Sequence, residues 1–135
     1  MSEIIVFDSS ILIDSLRANL FAGRMYALSG LVRNSSVVLA ELWRGIALDR
    51  DRRVLLKLQR TYPILTPTQN NWLESGQLLA KIRDDQGFEP HKLRDLHFDV
   101  LIALTARSHG ARLITSNRAD FELIRKYRDF RLEVW

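Results

Sequence analysis

Short apolar runs rich in β-branched residues alternate with stretches of helical spacing along the whole chain, and this alternation restricts the fold to a parallel sheet with helices on both faces. The runs fall at residues 3–7, 36–40, 62–65, 112–115 and 130–134, which predicts about five strands. Helical spacing is carried first by Ile11, Leu12, Leu16 and Leu20, then by a stretch from about 21 to 31 that stops at the polar break Arg33-Asn34-Ser35. Glu41 opens a long pattern through Leu42, Ile46, Leu55, Leu56 and Leu58, interrupted near the charge cluster at 49–53. Residues 68–83 form a helix whose apolar side is Trp72, Leu73, Leu79 and Ile82, and residues 84–91 read as a polar loop. A very apolar helix holds 99–106 and ends at Gly110, and a last one covers 120–127. No repeat, low-complexity segment or linker interrupts residues 1–135, so the expectation is one α/β domain of three layers, α/β/α.

The chain has no cysteine, which excludes disulfides, thiolate metal sites and a catalytic thiol. Any metal ligands are therefore oxygen or imidazole. The net charge is +4 and Arg greatly outnumbers Lys, a bias suited to bidentate contact with phosphate or carboxylate and equally compatible with a solvated surface. No apolar run approaches the roughly 20 residues of a membrane span, and residues 1–7 lack the basic start and long apolar core of a signal peptide. The expected address is the cytoplasm, with no membrane partner.

Ligands of parallel α/β sheets bind beyond the carboxyl ends of the strands. Asp8, Glu41 and Asp120 are expected there, at strand-to-helix junctions, and Asp99 stands before the apolar stretch 100–104. Taken singly, each has a plainer reading. Asp8 suits a helix N-cap, Glu41 a first-turn carboxylate, and Asp120 a turn followed by a capped helix. Asp99 suits an ion pair with Arg94 or His97. Taken together, four acids at one rim form a pocket of clustered anions that needs a divalent cation.

Four fragments carry a resemblance across essentially the whole chain: Ile5-Val6-Phe7-Asp8-Ser9-Ser10-Ile11-Leu12-Ile13, Ala40-Glu41-Leu42 with Gly45, Phe98-Asp99-Val100-Leu101-Ile102-Ala103, and Leu113-Ile114-Thr115-Ser116-Asn117-Arg118-Ala119-Asp120-Phe121. Their order and spacing resemble PIN-domain proteins, and within that superfamily the VapC-type ribonuclease toxins of prokaryotic toxin–antitoxin pairs. The resemblance implies a PIN-like fold, with Asp8, Glu41 and Asp99 as the principal acids of a metal site and Asp8 and Asp99 as its most direct ligands. Ser9 matches the hydroxyl after the first acid, and Thr115 the hydroxyl ending the later strand. Many relatives carry Asp where this chain has Asn117, so Asp120 is expected to supply the fourth carboxylate, which leaves the number of ions open.

Phosphodiester hydrolysis needs a nucleophilic water and compensation of charge on the phosphorus oxygens, which Mg²⁺ or Mn²⁺ on carboxylates supplies. His91, His97 and His109 lack metal-motif spacing. The expectation is a site in which Asp8 and Asp99 bind the ion, Glu41 positions or deprotonates water, and Asp120 with Asn117 stands behind them. Ser9, Thr115 and Ser116 orient carboxylates or substrate phosphate, and Arg44 and Arg118 hold the RNA backbone. The resemblance further implies RNA as substrate, for example a transfer RNA loop, a cognate antitoxin covering the acid pocket and an apolar groove, and a homodimer, with Trp43, Trp72 and Phe21 as candidate exposed apolar residues. Two rivals remain. A haloacid dehalogenase-like phosphatase needs an Asp where Ser10 stands. A PIN-like module that only binds RNA or protein is kept open by Asn117.

Overall fold

The computed structural model describes residues 2–135, arranged as five parallel strands with seven helices around them. In chain order these are β1 (Ile4–Phe7), α1 (Ser9–Leu16), α2 (Ala22–Ala27), β2 (Leu31–Ser35), α3 (Ser36–Gly45), α4 (Asp49–Thr61), β3 (Ile64–Leu65), α5 (Gln69–Gln86), α6 (Pro90–Ser108), β4 (Arg112–Thr115), α7 (Arg118–Tyr127) and β5 (Arg131–Val134). The spatial order is β3-β2-β1-β4-β5, so the first strand lies at the centre and the chain winds outward in both directions from it. No helix among the described residues is long and apolar enough to cross a membrane.

The central strand is buried on both faces, which is why it reads as an unbroken apolar run and not as an alternating one. Val6 of β1 and Leu113 of β4 face a large core shared with α3, α5, α6 and α7. Ile5, Phe7 and Ile114 face a smaller one closed by Ile11, Phe21, Met25 and Trp135. Gly30 makes the turn into β2 at φ 156°, and a Cβ there would stand 2.7 Å from the Glu3 carbonyl oxygen, so the approach of the chain to β1 admits no side chain.

Residues 31–41 depart from the sequence reading. The polar triplet Arg33-Asn34-Ser35, expected as a break, is the second half of β2. Buried Asn34 is accommodated because its Nδ2 donates to the carbonyls of Leu58 and Tyr62, at the end of α4, at 3.0 and 3.1 Å. The run 36–40, expected as a strand, opens α3: the Ser35 hydroxyl accepts from Val38 N at 3.3 Å and caps the helix. Val37, Val38, Leu39 and Leu42 then go into the core, so tertiary burial overrides the strand preference of the two valines. The pattern opened at Glu41 is two helices, and the cluster at 49–53 is the start of the second.

The other differences are smaller. The α2 helix ends at Ala27, and β3 is two residues long. Most of the predicted loop at 84–91 is helical, since α5 runs to Gln86, Gly87 closes it at φ 66°, and Pro90 starts α6. Asp95 therefore lies inside α6. On α5, Trp72 and Leu73 are exposed, and the buried side is Asn71, Ser75, Leu78, Leu79 and Ile82.

Candidate metal centre

Asp8 follows directly from β1, and its backbone N–H continues the ladder by donating to the Ile114 carbonyl at 2.9 Å. The side chain is 3% exposed. Two hydroxyls hold one of its oxygens, Ser10 Oγ and Thr115 Oγ1, each donating to Oδ2 at 2.8 Å. Both hydroxyls are aimed by the backbone, since Ser116 N donates to Ser10 Oγ at 3.1 Å and Asn117 N to Thr115 Oγ1 at 2.9 Å. The other oxygen, Oδ1, is buried and has no donor.

Glu41 and Asp99 meet Asp8 from two helices. Glu41 sits inside α3 and Asp99 inside α6, so neither lies at the strand-to-helix junction or helix start that the sequence suggested. A carboxylate oxygen from each of the three lies within 4.8 Å of the others. Glu41 Oε1 is also buried without a donor. The Asp99 side chain makes no hydrogen bond or ion pair to any described residue; neither Arg94 nor His97 pairs with it. His97 instead shares a hydrogen bond with Ser75 at 3.0 Å and meets the edge of Trp72.

Crowded, desolvated carboxylates resist ionisation. Burial, then the Asp8 charge, raise the Glu41 pKa to about 7 against a partial offset from Arg44. Burial, then Asp8, Glu41 and Asp120, raise Asp99 to about 8, with Lys92 opposing. Asp51, a second buried acid, shows the contrast: it is 2% exposed and paired with Arg17 at 2.8 Å. The trio has no such partner. Unsatisfied buried oxygens, an all-oxygen donor set and suppressed ionisation fit a hard divalent cation held by Asp8, Glu41 and Asp99.

Asp120 stands apart from this trio. Its Oδ1 accepts from Lys92 Nζ at 3.0 Å and its Oδ2 from Asn117 Nδ2 at 3.2 Å, while Asn117 Oδ1 caps α7 by accepting from Asp120 N. Ser9 makes no side-chain hydrogen bond among the described residues; the neighbouring Ser10 carries the contact to Asp8. Ser116 is exposed and contributes its backbone N–H. Arg118 is exposed and pairs with Glu122 one turn on. Arg44 lies over the Phe98 ring at 5.3 Å, and with Glu41, Arg94 and Asp95 these residues line a cavity of about 210 Å³ beside the acids. Sequence reasoning missed Lys92 and Ser10. Lys92 lay within one residue of a segment read as loop and left no signal, whereas Ser10 was visible as a hydroxyl two places after an acid.

A parallel α/β sheet that gathers three carboxylates around one strand end defines a class of acid-centred domain. Residues 5–127 match the family described as the PIN domain, and the chain belongs to that family; the phosphatase rival falls away. Among solved structures the chain is similar to VapBC2 from Rickettsia felis bound to a DNA fragment from their promoter, at TM-score 0.69 and 20% identity, covering 98% of both chains. DNA-bound VapBC from Salmonella typhimurium gives 0.68 and 23%, covering 100% of this chain and 99% of that one. VapBC-5 from Mycobacterium tuberculosis, of the VapBC family of toxin–antitoxin systems, gives 0.67 and 20%, covering 98% of both. At these identities the likeness speaks for the fold. No curated protein matches the chain.

Proposed function

We propose that the chain is a divalent-metal-dependent endoribonuclease of the VapC type, the toxin of a type II toxin–antitoxin pair. The observation that carries this is the trio Asp8, Glu41 and Asp99, with two buried oxygens that no protein donor satisfies. Family membership supports the nuclease class, and the VapBC relatives support an antitoxin partner.

A bound Mg²⁺ or Mn²⁺ supplies charge neutralisation at the phosphate and lowers the pKa of water. Asp8 and Asp99 would be its ligands, and the hydroxyls of Ser10 and Thr115 fix which Asp8 oxygen stays free. Hydrolysis joins a water oxygen to phosphorus and breaks a phosphorus–oxygen bond to ribose in line with it. Glu41, beside the other two acids, takes the proton from that water; the leaving oxygen takes one from solvent. Asp120 and Asn117 stand behind the site. Arg44 and Arg118, with Ser9 and Ser116 at the rim, hold the RNA backbone, and unpaired RNA such as a transfer RNA loop is the substrate class.

The antitoxin covers the acid pocket and an apolar cleft. An apolar-lined cavity of about 410 Å³ between α1, α2 and α4, bordered by Leu12, Met25, Tyr26 and Leu58, has that character. Of the aromatic residues considered for a homodimer, Trp72 is exposed, whereas Trp43 and Phe21 pack against the two cores. The protein works in the cytoplasm.

The test is cleavage of RNA by the purified chain with Mn²⁺ or Mg²⁺, and its loss in Asp8→Asn and Asp99→Asn variants whose circular dichroism is unchanged. Full activity in both variants, or in EDTA, overturns the reading.

A further inference from the structure

Lys92 lies in the first turn of α6, seven residues before Asp99, so the two share one face of the helix. Its side chain passes the Phe88 ring at 5.9 Å and reaches α7, where the ammonium donates to Asp120. Both Asp120 oxygens are thereby occupied, one by the ammonium and one by the Asn117 amide. The contrast with Asp8 Oδ1 and Glu41 Oε1, buried and bare, divides the rim into two parts. One part has no protein cation among the described residues. The other already holds one.

We propose that Lys92 is a resident cation of the acid site, held on Asp120 where a second metal ion would otherwise neutralise that carboxylate, so that the chain takes a single divalent ion among Asp8, Glu41 and Asp99. This rests on the reading of the trio as a metal centre. Charge balance agrees with it: one divalent ion, Lys92 and the guanidinium of Arg44 match the four carboxylates, and a second divalent ion would leave the pocket cationic before substrate arrives. A Lys ammonium carries three N–H groups, so those not on Asp120 remain available to a substrate phosphate oxygen. Lys92 therefore does part of the electrostatic work of a metal ion without requiring one, and Asn117, which cannot supply a carboxylate, fits a site of this kind.

Ion stoichiometry decides the matter without reference to activity. The metal-free full-length chain is titrated with Mn²⁺ by calorimetry, and bound Mn²⁺ is counted by electron paramagnetic resonance. The wild type and Lys92→Arg should saturate at one ion per chain. Lys92→Met, which bares Asp120, should take two, and adding Asp120→Asn to it should return the count to one. Asp120→Asn alone should keep one ion, a reading that stands whether or not Lys92→Met folds. Two ions in the wild type, or one in a folded Lys92→Met, overturns the proposal and leaves the nuclease reading intact. No site-specific ion in the wild type overturns both.

Discussion

The two ends of the sheet carry acid and treat it in opposite ways. At the amino end, Glu3, just before β1, pairs with Arg112 and Arg131, which begin β4 and β5. From there Arg112 also reaches Glu133, two residues further along β5, at 2.7 Å, and the Trp135 indole donates to the same carboxylate. Both of these carboxylates have a protein cation within reach. At the carboxyl end, Asp8, Glu41 and Asp99 crowd together with no ion pair among them. Acid matched by guanidinium is architecture, and acid gathered without a protein partner is the arrangement on which the metal proposal rests.

The largest expected effect separates the ends by their response to metal. A ligand that binds only the native state at 100 times its Kd stabilises it by about 2.7 kcal/mol, which for a chain of this length is a rise in Tm of about 10 °C. Saturating Mn²⁺ should produce such a rise in the wild type and in Arg112→Ala, and none in Asp99→Asn. A similar rise in Asp99→Asn would mean that the ion sits elsewhere.

Next comes the cost of removing one partner without metal. Arg112→Ala removes one of the two cations on Glu3 and the ion pair of Glu133, and about 1 kcal/mol should be lost in urea unfolding. Asp99→Asn replaces a carboxyl that already resists ionisation in a repulsive cluster and should cost nothing or stabilise the EDTA-treated protein. Equal losses in the two variants would erase the distinction between the ends.

The pH dependence should differ in sign. Among the paired acids the Trp135 indole, then Arg112, hold the Glu133 pKa below its ordinary value, so its stabilisation is present at neutral pH and lost as pH falls through the folded-state value. Glu41 and Asp99 are raised from 4.5 and 3.8 to about 7 and 8. Between those limits the native state binds more protons than the unfolded one, so stability falls as pH rises from about 4 to about 8. In EDTA the thermal midpoint should drop across that window. Mn²⁺ displaces the protons and should remove the drop, with its stabilisation growing toward alkaline pH. A midpoint that climbs from pH 5 to 8 in EDTA contradicts the shifted pair.

The parts of this contrast that could be read from the sequence are those encoded locally. The strand β1 is a continuous apolar run and Asp8 follows it directly, so the sheet's centre and one acid were legible. Glu41 and Asp99 were legible as residue types, but the reason they meet was not: each projects from the interior of a helix packed over the sheet, and helix packing is set by contacts far apart in sequence. Val37 and Val38 gave a strand signal that core burial reversed. Lys92 on Asp120 joins residues 28 apart and leaves no pattern in a single chain.

The smallest expected effect concerns adjacent serines. Sequence resemblance pointed to Ser9 as the hydroxyl beside the first acid, and the geometry puts Ser10 on Asp8 Oδ2, with Ser116 N fixing the direction of its proton. Groups that orient a metal ligand typically change affinity by about 10-fold when removed. Ser10→Ala should therefore weaken Mn²⁺ binding by about that factor, with little change in urea stability because Thr115 still donates to the same oxygen. Ser9→Ala should leave Mn²⁺ affinity unchanged and act, if at all, on RNA binding at the rim. Calorimetric titration of the two variants side by side checks this, and a weaker ion in Ser9→Ala than in Ser10→Ala would show that the loaded site turns Asp8 toward the other hydroxyl.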